Sequence, residues 1–426
     1  MVTFFISLLK IDEKLISRKL DAYTFASLVC KEPRMKTGKR EAFRVALMFK
    51  AKGAYGRDII TGICDYTRST RLTWDLILDE DFRSRPQSLL SWAGDGVIAD
   101  FDDPLLVELL ADGHIPVVGV GGSYQRDSDY PPGIPYVATD NRRLVELAYR
   151  HLIDMGLQRF ALYSMPPAPT NRWAQEREAR FRQLLEADGM QAEIFNGLPT
   201  FAVDWGPILD NIVCWLRALP KPIGVIAVTD ARARQVLQAC IMDDIAVPEE
   251  VAIMGIDDDP LLRQLTRIPI SSVAQGTRRM GKIAAGMLHR KLTGAPVKPL
   301  HVLVPPEGIN AQDSSRHQPV NHPYVMRALH YIRQFAAQGA KVSQVADYVG
   351  VSRTTLETHF HRQRGKSVHD EILAFKLHLA CGMLSGGELS CAEIAERCGF
   401  TTLQYMYAVF RREFDCSPLE YRKKGS

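Results

Sequence analysis

Two short stretches of this chain carry side chains able to read base edges, spaced to fall on one face of a helix. In the first, Arg353, Thr354, Glu357 and Thr358 lie opposite the apolar Leu356 and Phe360. In the second, Leu403, Gln404, Tyr405 and Ala408 lie opposite Met406 and Phe410. Arg can grip guanine through two hydrogen bonds, Gln can do the same for adenine, and Thr or Leu can touch the thymine methyl. The neighbouring cations Arg362, Arg364, Lys366, Arg411 and Arg412 suit phosphates, which position a protein without specifying sequence. A solvated helix face is the ordinary alternative for any one of them. Elsewhere, carboxylates close apolar runs: Asp100 ends GVIAD, Asp230 ends IAVTD and Asp257 follows VAIMGI. An aspartate at such a place either faces a ligand or caps the next helix.

The elements that must position the first set are two helix-turn-helix units, 342–363 and 390–413. Each follows one plan: a short helix, a glycine turn (Gly350, Gly399) and a second helix begun by a Ser or Thr cap (Ser352; Thr401 or Thr402). The second helix of such a unit lies in the major groove with its N-terminal residues at the base edges. Between the units, Val368 to Leu384 reads as one helix with Ile372, Leu373, Phe375 and Leu379 as apolar positions. At the usual rise it spans roughly 26 Å, enough to hold two reading helices about one duplex turn apart on one face of DNA. The second unit has fewer hydrogen-bonding groups at its tip and reads more weakly.

The run GFTTLQYMYAVFRREFDCSPLEYR resembles the AraC/XylS transcription regulators, through Gly399-Phe400, Phe410, Phe414, Ser417-Pro418 and Tyr421-Arg422. The resemblance covers about the last hundred residues. Where that family often has a glycine before Ser/Thr-Pro, this chain has Asp415-Cys416.

The 426 residues are 46% hydrophobic and 24% charged, as in soluble globular proteins of two to three domains. The formal charge of +4 is unevenly placed. From His322 to Ser426 there are 14 Lys and Arg against 10 Asp and Glu, so the rest of the chain is neutral. The basic excess falls where phosphate contacts need it. The eight cysteines form no CxxC pair and no zinc spacing, which reads as reduced thiols and no metal. No run approaches the ~20 apolar residues of a membrane span, and the N-terminus lacks the features of a secretory signal. Residues 1–40 are expected to be a poorly ordered N-terminal extension, with translation starting at Met35.

Residues 41–305 alternate short apolar runs with helical patterns. Strands are expected at Val45–Phe49, Asp75–Leu78, Gly96–Asp100, Pro116–Val120, Phe160–Tyr163, Ile223–Val228 and Val251–Ile256. Helices are expected at 141–155, 173–187, 231–242 and 275–291. Such alternation gives parallel sheets in α/β domains, here enough for two lobes with a ligand in the crevice at the strand ends. Residues 306–323 are polar and proline-rich and read as a linker to an all-α domain, 324–426.

This region resembles the periplasmic sugar-binding proteins and the effector domains of LacI/GalR-type repressors, through IAVTDARARQVLQA, VAIMGIDDDPLLRQLTRIPISSVAQ and the helix that follows. Unlike those repressors, the chain has its DNA-reading part at the other end. The resulting order is rare and is similar to that of xylose-operon regulators. GDGVIADFDD, VVGVGGSY, YVATDN and AVTDARAR fit these in particular, extending the resemblance from Arg44 to Arg422. It implies a sugar site. A pentose needs charged acceptors for vicinal diols, Arg donors and an aromatic plate. Asp100, Asp230 and Asp257 supply acceptors. The resemblance places a ligand-binding Arg at Arg177 and contacts at Tyr55 and Arg57. Trp173, one helical turn before Arg177, supplies the plate. Asp140 is expected mainly as a helix cap.

The expectation is a D-xylose-responsive transcription activator of xylose uptake and catabolism genes. It would be cytoplasmic, associated with the nucleoid when DNA-bound, and without a cofactor. Its partners would be double-stranded operator DNA, the sugar, RNA polymerase and a second copy of itself, with no membrane. The dimer is implied only by the resemblances. The alternatives are a similar regulator of another pentose, a non-regulatory sugar-binding protein, and a sugar hydrolase with paired carboxylates. Against an enzyme, the chain has no G-x-S-x-G, P-loop or H-E-x-x-H.

Overall fold

A computed structural model describes residues 42–82, 92–111, 115–124, 126–199, 205–317, 322–385 and 389–424. The expectations about residues 1–40 and Met35 lie outside them. The first part of the chain runs β1 (Phe43–Met48), α1 (Ala54–Ser69), β2 (Trp74–Leu78), β3 (Gly96–Asp100), α2 (Pro104–Leu110), β4 (Val117–Gly122), β5 (Tyr136–Thr139), α3 (Asn141–Asp154), β6 (Phe160–Tyr163), α4 (Arg172–Ala187), β7 (Glu193–Phe195), α5 (Trp205–Ala218), β8 (Ile223–Ala227), α6 (Asp230–Met242), β9 (Val251–Ile256), α7 (Pro260–Gln264), β10 (Ser271–Ala274), α8 (Thr277–Leu292), β11 (His301–Val304) and β12 (Gly308–Asn310).

The strands form two six-stranded sheets, ordered β11-β5-β4-β3-β1-β2 and β12-β10-β9-β8-β6-β7. All pairings are parallel except β10 with β12. The central strands, such as VVGVGG and VAIMGI, are buried along their whole length, as expected where helices cover both faces. Each sheet is the core of one lobe. The chain crosses between lobes three times: at Asp140, at Gln275–Gly276 and through Pro305–Glu307. The helices obey those crossings. α3 packs its Leu144, Val145, Ala148 and Leu152 on the second sheet, and α8 packs Met280, Ala284 and Leu288 on the first.

The seven expected strands are present with ends shifted by up to two residues. The expectation missed β5, β7, β10, β11 and β12, which are three or four residues each. The 306–323 linker is corrected for the same reason. Gly308–Asn310 pairs with β10, and Ser314 is fully buried, donating to the Ile253 carbonyl (2.7 Å) while accepting from Ser271 N (2.8 Å). Ser314 is polar because it satisfies buried backbone groups, while the Ser315 hydroxyl donates to Ser271 Oγ (2.7 Å) and Gln312 Nε2 to Asn310 Oδ1 (2.6 Å), so the segment's polarity serves packing partners as well as water.

The second part is all helical: α9 (Pro323–Phe335), α10 (Val342–Val349), α11 (Arg353–Arg364), α12 (Val368–Ser385), α13 (Cys391–Arg397), α14 (Leu403–Phe414) and α15 (Pro418–Lys424). α10 and α11 form one helix-turn-helix around Val345, Leu356 and Phe360, and α13 and α14 the other around Ile394, Met406 and Phe410. α12 joins the two cores, giving Val368 and Ile372 to the first and Leu373, Leu377 and Leu384 to the second. The glycine turns take the left-handed conformation at Gly350 (φ +80°) and Gly399 (φ +70°). A Cβ at Gly399 would lie 2.5 Å from the Ala337 carbonyl oxygen, so the second unit's turn sits directly on the chain leaving α9. Asp415 is left-handed too (φ +52°), doing the work glycine does in the resembled family; aspartate tolerates that region better than most residues. Among the described residues no helix is long and apolar enough to cross a membrane.

Two glycines let α1 and α8 touch backbone to backbone. A Cβ on Gly62 would stand 2.0 Å from the Arg278 carbonyl oxygen, and one on Gly281 would stand 2.0 Å from that of Ile59. Gly281→Ala must push the helices apart, costing about 1–3 kcal/mol as overpacking does. Equilibrium urea unfolding is expected to show that loss, with Gly294→Ala, at an open left-handed turn, as the comparison for backbone strain alone.

Candidate functional site

The C-terminal ends of both sheets face one crevice, and a cavity of about 500 Å³ fills it. The first lobe contributes Asp100 from the end of β3, Asp102 from the following turn and Tyr55 from the start of α1. The second contributes Trp173 and Arg177 from α4 and Asp257 from the end of β9. The crossings themselves contribute Asn141 and Gln275.

Arg177 is the hub. It is 3% exposed, its Nε donates to Asn141 Oδ1 (2.8 Å) and one terminal nitrogen donates to the Val228 carbonyl. Its guanidinium lies 4.8 Å from the Trp173 ring, which fixes both against one wall. Gln275 Nε2 donates to Asp257 Oδ1 (2.6 Å), while among the described residues the Gln275 Oε1 atom is buried without a partner. Buried polar atoms are normally satisfied, so this oxygen beside a cavity is a group a polar ligand can satisfy. The set offers carboxylates for diols, a guanidinium and an amide for ring and hydroxyl oxygens, and an indole face.

Burial pushes these carboxyls up: Asp100 to about 8, reinforced by Asp102, and Asp257 to about 6, opposed by Arg177. Asp102 is raised by burial although Arg172 pairs with it at 2.8 Å. That Arg172 also bonds the Gly122 and Ser123 carbonyls and lies 3.7 Å from the Tyr124 ring, tying α4 to the first lobe. Glu176 adds a second tie, accepting from the Ser123 hydroxyl (2.6 Å) and Asn141 Nδ2 (2.8 Å).

Of the expected sugar contacts, Tyr55, Asp100, Trp173, Arg177 and Asp257 line the cavity. Two do not. Both oxygens of Asp230 are engaged behind the wall, with Ser272 Oγ (2.6 Å) and Asp259 N (2.7 Å). A carboxylate so committed holds up the Asp259 turn, and Thr229 and Ala231 line the cavity in its place. Arg57 turns to the rim and pairs with Asp259 across the cleft at 3.1 Å. Asp140 caps α3, accepting from Arg143 N (2.9 Å). Asn141, Gln275 and Asp102 were missed. The first two obey the same rule as the aspartates, a polar residue just past a strand end, but on short strands whose residues are not all apolar (YVAT, SSVA).

On the reading helices, Ser352 caps α11 through Thr355 N (3.1 Å) and Thr402 caps α14 through Tyr405 N (3.1 Å). Arg353, Thr354 and Thr358 are exposed at the first tip, and Gln404 and Tyr405 at the second. Arg362, Arg411 and Arg412 are exposed beside them. Glu357, expected among the base readers, instead accepts the Val368 N–H (3.1 Å), capping α12. Leu403 is half-buried against the second core. Arg364 and Lys366, expected at phosphates, both pair with Glu371.

Residues 44–142 match the model of the XylR N-terminal domain, 149–315 that of the periplasmic binding protein-like domain and 345–424 that of a helix-turn-helix domain. The xylose operon regulatory protein of Escherichia coli (strain K12) is 44% identical over 383 residues, covering 90% of this chain and 97% of that one. The protein of the same name from Haemophilus influenzae is 39% identical over 380 residues, covering 89% and 98%.

This chain belongs to the xylose operon regulatory protein family.

It is a transcription regulator in which a two-lobed α/β domain of the periplasmic-binding-protein type precedes an all-α tandem helix-turn-helix domain. The solved structure of a xylose-binding transcription activator, xylR, is 43% identical and superposes with a TM-score of 0.83 over 91% of this chain and 99% of that one. A periplasmic binding protein/LacI transcriptional regulator from Alkaliphilus metalliredigens, 16% identical, superposes with a TM-score of 0.51 over 64% of this chain and 98% of that one, which shows the shared fold alone.

The raised Asp100 carboxyl has a measurable effect. Folded protein holds its proton up to about pH 8, whereas an unfolded carboxyl loses it near about 4. Between those values the folded state binds more protons, so its stability falls as pH rises. Thermal unfolding of Asp100→Asn is expected to lose less between about pH 6 and 8.5 than that of the parent.

Proposed function

We propose that this protein is a D-xylose-responsive activator that switches on xylose uptake and catabolism genes when the sugar is bound. The observation that carries the reading is the crevice: five strand-end and helix-start residues, with Asn141 and Gln275, converge on one cavity in a chain that also bears two base-reading units. Tyr55, Asp100, Asp257 and Gln275 take the hydroxyls, Arg177 an oxygen, and Trp173 the apolar face. Arg57 and Asp230 act one step back, through Asp259. Sugar favours one relation of the lobes, and that bias shifts the populations that bind operator. Arg353, Thr354 and Thr358, with Gln404, Tyr405 and Leu403, read bases; Arg362, Arg411 and Arg412 meet phosphates. The regulator works as a homodimer beside RNA polymerase, in the cytoplasm, and leaves its sugar chemically unchanged.

Calorimetric titration with xylose, arabinose, ribose and glucose tests the effector. Saturable heat with xylose is expected, with at least a tenfold loss of affinity in Asp257→Asn. Binding of a different pentose alone would move the protein to another operon, and slow consumption of any of the four would make it an enzyme.

For DNA, Arg353→Ala is expected to weaken specific operator binding by about 1–3 kcal/mol, the worth of one bidentate base contact. Arg362→Ala should weaken all sequences alike and lower the salt slope by about one. Fluorescence anisotropy on specific and random duplexes at several salt concentrations separates the two.

A further inference from the structure

Helix α6 has its two ends at two different places. Its first turn, with Thr229 and Ala231, lines the cavity. Its thirteen residues carry the chain roughly 20 Å, on the usual helical rise, to Asp243. There the turn 243–250 meets the DNA-reading part. Asp244 Oδ1 accepts the Tyr348 hydroxyl proton and lies 3.2 Å from His330 Nε2. Glu249, buried, pairs with Arg333 of α9. Tyr348 is the penultimate residue of α10, the helix that seats recognition helix α11. Arg327 of α9 donates to the carbonyls of Tyr348 and Val349 and lies 5.2 Å from the Tyr348 ring. A smaller contact runs from Asp313 to His378 of α12 (3.4 Å).

Asp244, Glu249, Asp313 and Arg316, which make these polar contacts with the DNA-reading part, all belong to the second lobe. Asp244 reaches Tyr348 from a left-handed conformation (φ +54°), which few residues other than glycine, Asn and Asp adopt readily. His330 is 2% exposed although charged or polar groups surround it: Asp244 at Nε2, Gln334 (2.7 Å) and the Glu249–Arg333 pair nearby. These are the features of a joint that is seated in one arrangement.

We propose that Asp244, Tyr348 and His330 form the coupling joint through which the second lobe governs the first reading unit, with α6 as the rod that carries the cavity's state to it. The proposal rests on the sugar-responsive reading above. A ligand at the N-terminal end of α6 biases where its C-terminal end sits, and the joint converts that bias into the seating of α10 and hence α11. Coupling free energy of this kind is reciprocal: sugar changes operator affinity by the same factor as operator changes sugar affinity.

The test is the ratio of operator affinities with and without saturating D-xylose, by anisotropy, for the full chain and three variants. Tyr348→Phe removes the hydroxyl that Asp244 accepts, and Asp244→Asn removes the negative charge that faces both Tyr348 and His330 while keeping the side chain's size. Asp243→Asn, one residue away, breaks only the Arg217–Asp243 pair inside the second lobe and serves as the control. The expected result is a ratio reduced at least threefold in both joint variants, a double variant no worse than the larger single one, and an unchanged ratio in the control. Thermal unfolding and xylose titration of each variant confirm that it is folded, and the side-chain change in Tyr348→Phe is a single oxygen. Unchanged ratios in Tyr348→Phe and Asp244→Asn, with a parent ratio well away from one, overturn the joint. A parent ratio of one overturns the sugar-responsive reading itself.

Discussion

Three passages of chain between two sheets set the geometry of everything else. Because the chain leaves each sheet at strand ends and returns there, the C-terminal ends of both sheets must face one another. The passages do more than connect. Asn141, just beyond the first, and Gln275, within the second, are both in the cavity wall, so residues at the crossings also line the site. A molecule filling the cavity would touch both lobes and the chain that joins them. Any preference for one lobe arrangement therefore needs no relay to reach the hinge.

The cavity wall is dense in carboxylates that burial makes reluctant to ionise. Such groups are expensive to leave in a low-dielectric wall unless something accepts from or donates to them. Arg177 meets part of that need from the second lobe, and Arg172 meets it for Asp102. The two arginines differ in consequence. Arg177 spends its bonds on Asn141 and Val228 and presents itself to the cavity. Arg172 reaches out of its own lobe to carbonyls at the end of β4, so part of the contact between lobes is made by the protein itself.

Much of this was legible in the amino-acid order, for physical reasons. The long apolar strands and the two capped helix-turn-helix units were readable because burial on both faces and Ser/Thr capping leave marks in a few adjacent residues. Strands of three or four residues leave one only when wholly apolar, as β6 (FALY) is. β5, β10 and β12 were missed on that account, and Asn141 and Gln275 with two of them. Asp230 and Arg57 show a different limit. Position at a strand end or helix start is visible in sequence; which way the side chain turns is decided by Ser272 and Asp259, distant in the chain. Glu357 is the same case on the DNA side, where a helix N-terminus eleven residues on takes the carboxylate.

The seat of the Gly399 turn on the Ala337 carbonyl bears on the operator. α12 and this seat join the two reading units at two separate places, which suppresses both bending and twisting between them. Their separation is then a property of the protein, fixed before DNA arrives. Each inserted base pair moves a half-segment about 3.4 Å along the duplex and also turns it about the axis, since one turn takes about 10 base pairs. A flexible reader would absorb one such insertion by adjusting its own spacing. This one behaves as a ruler, and the mismatch has to be taken up by the DNA, through bending or altered twist.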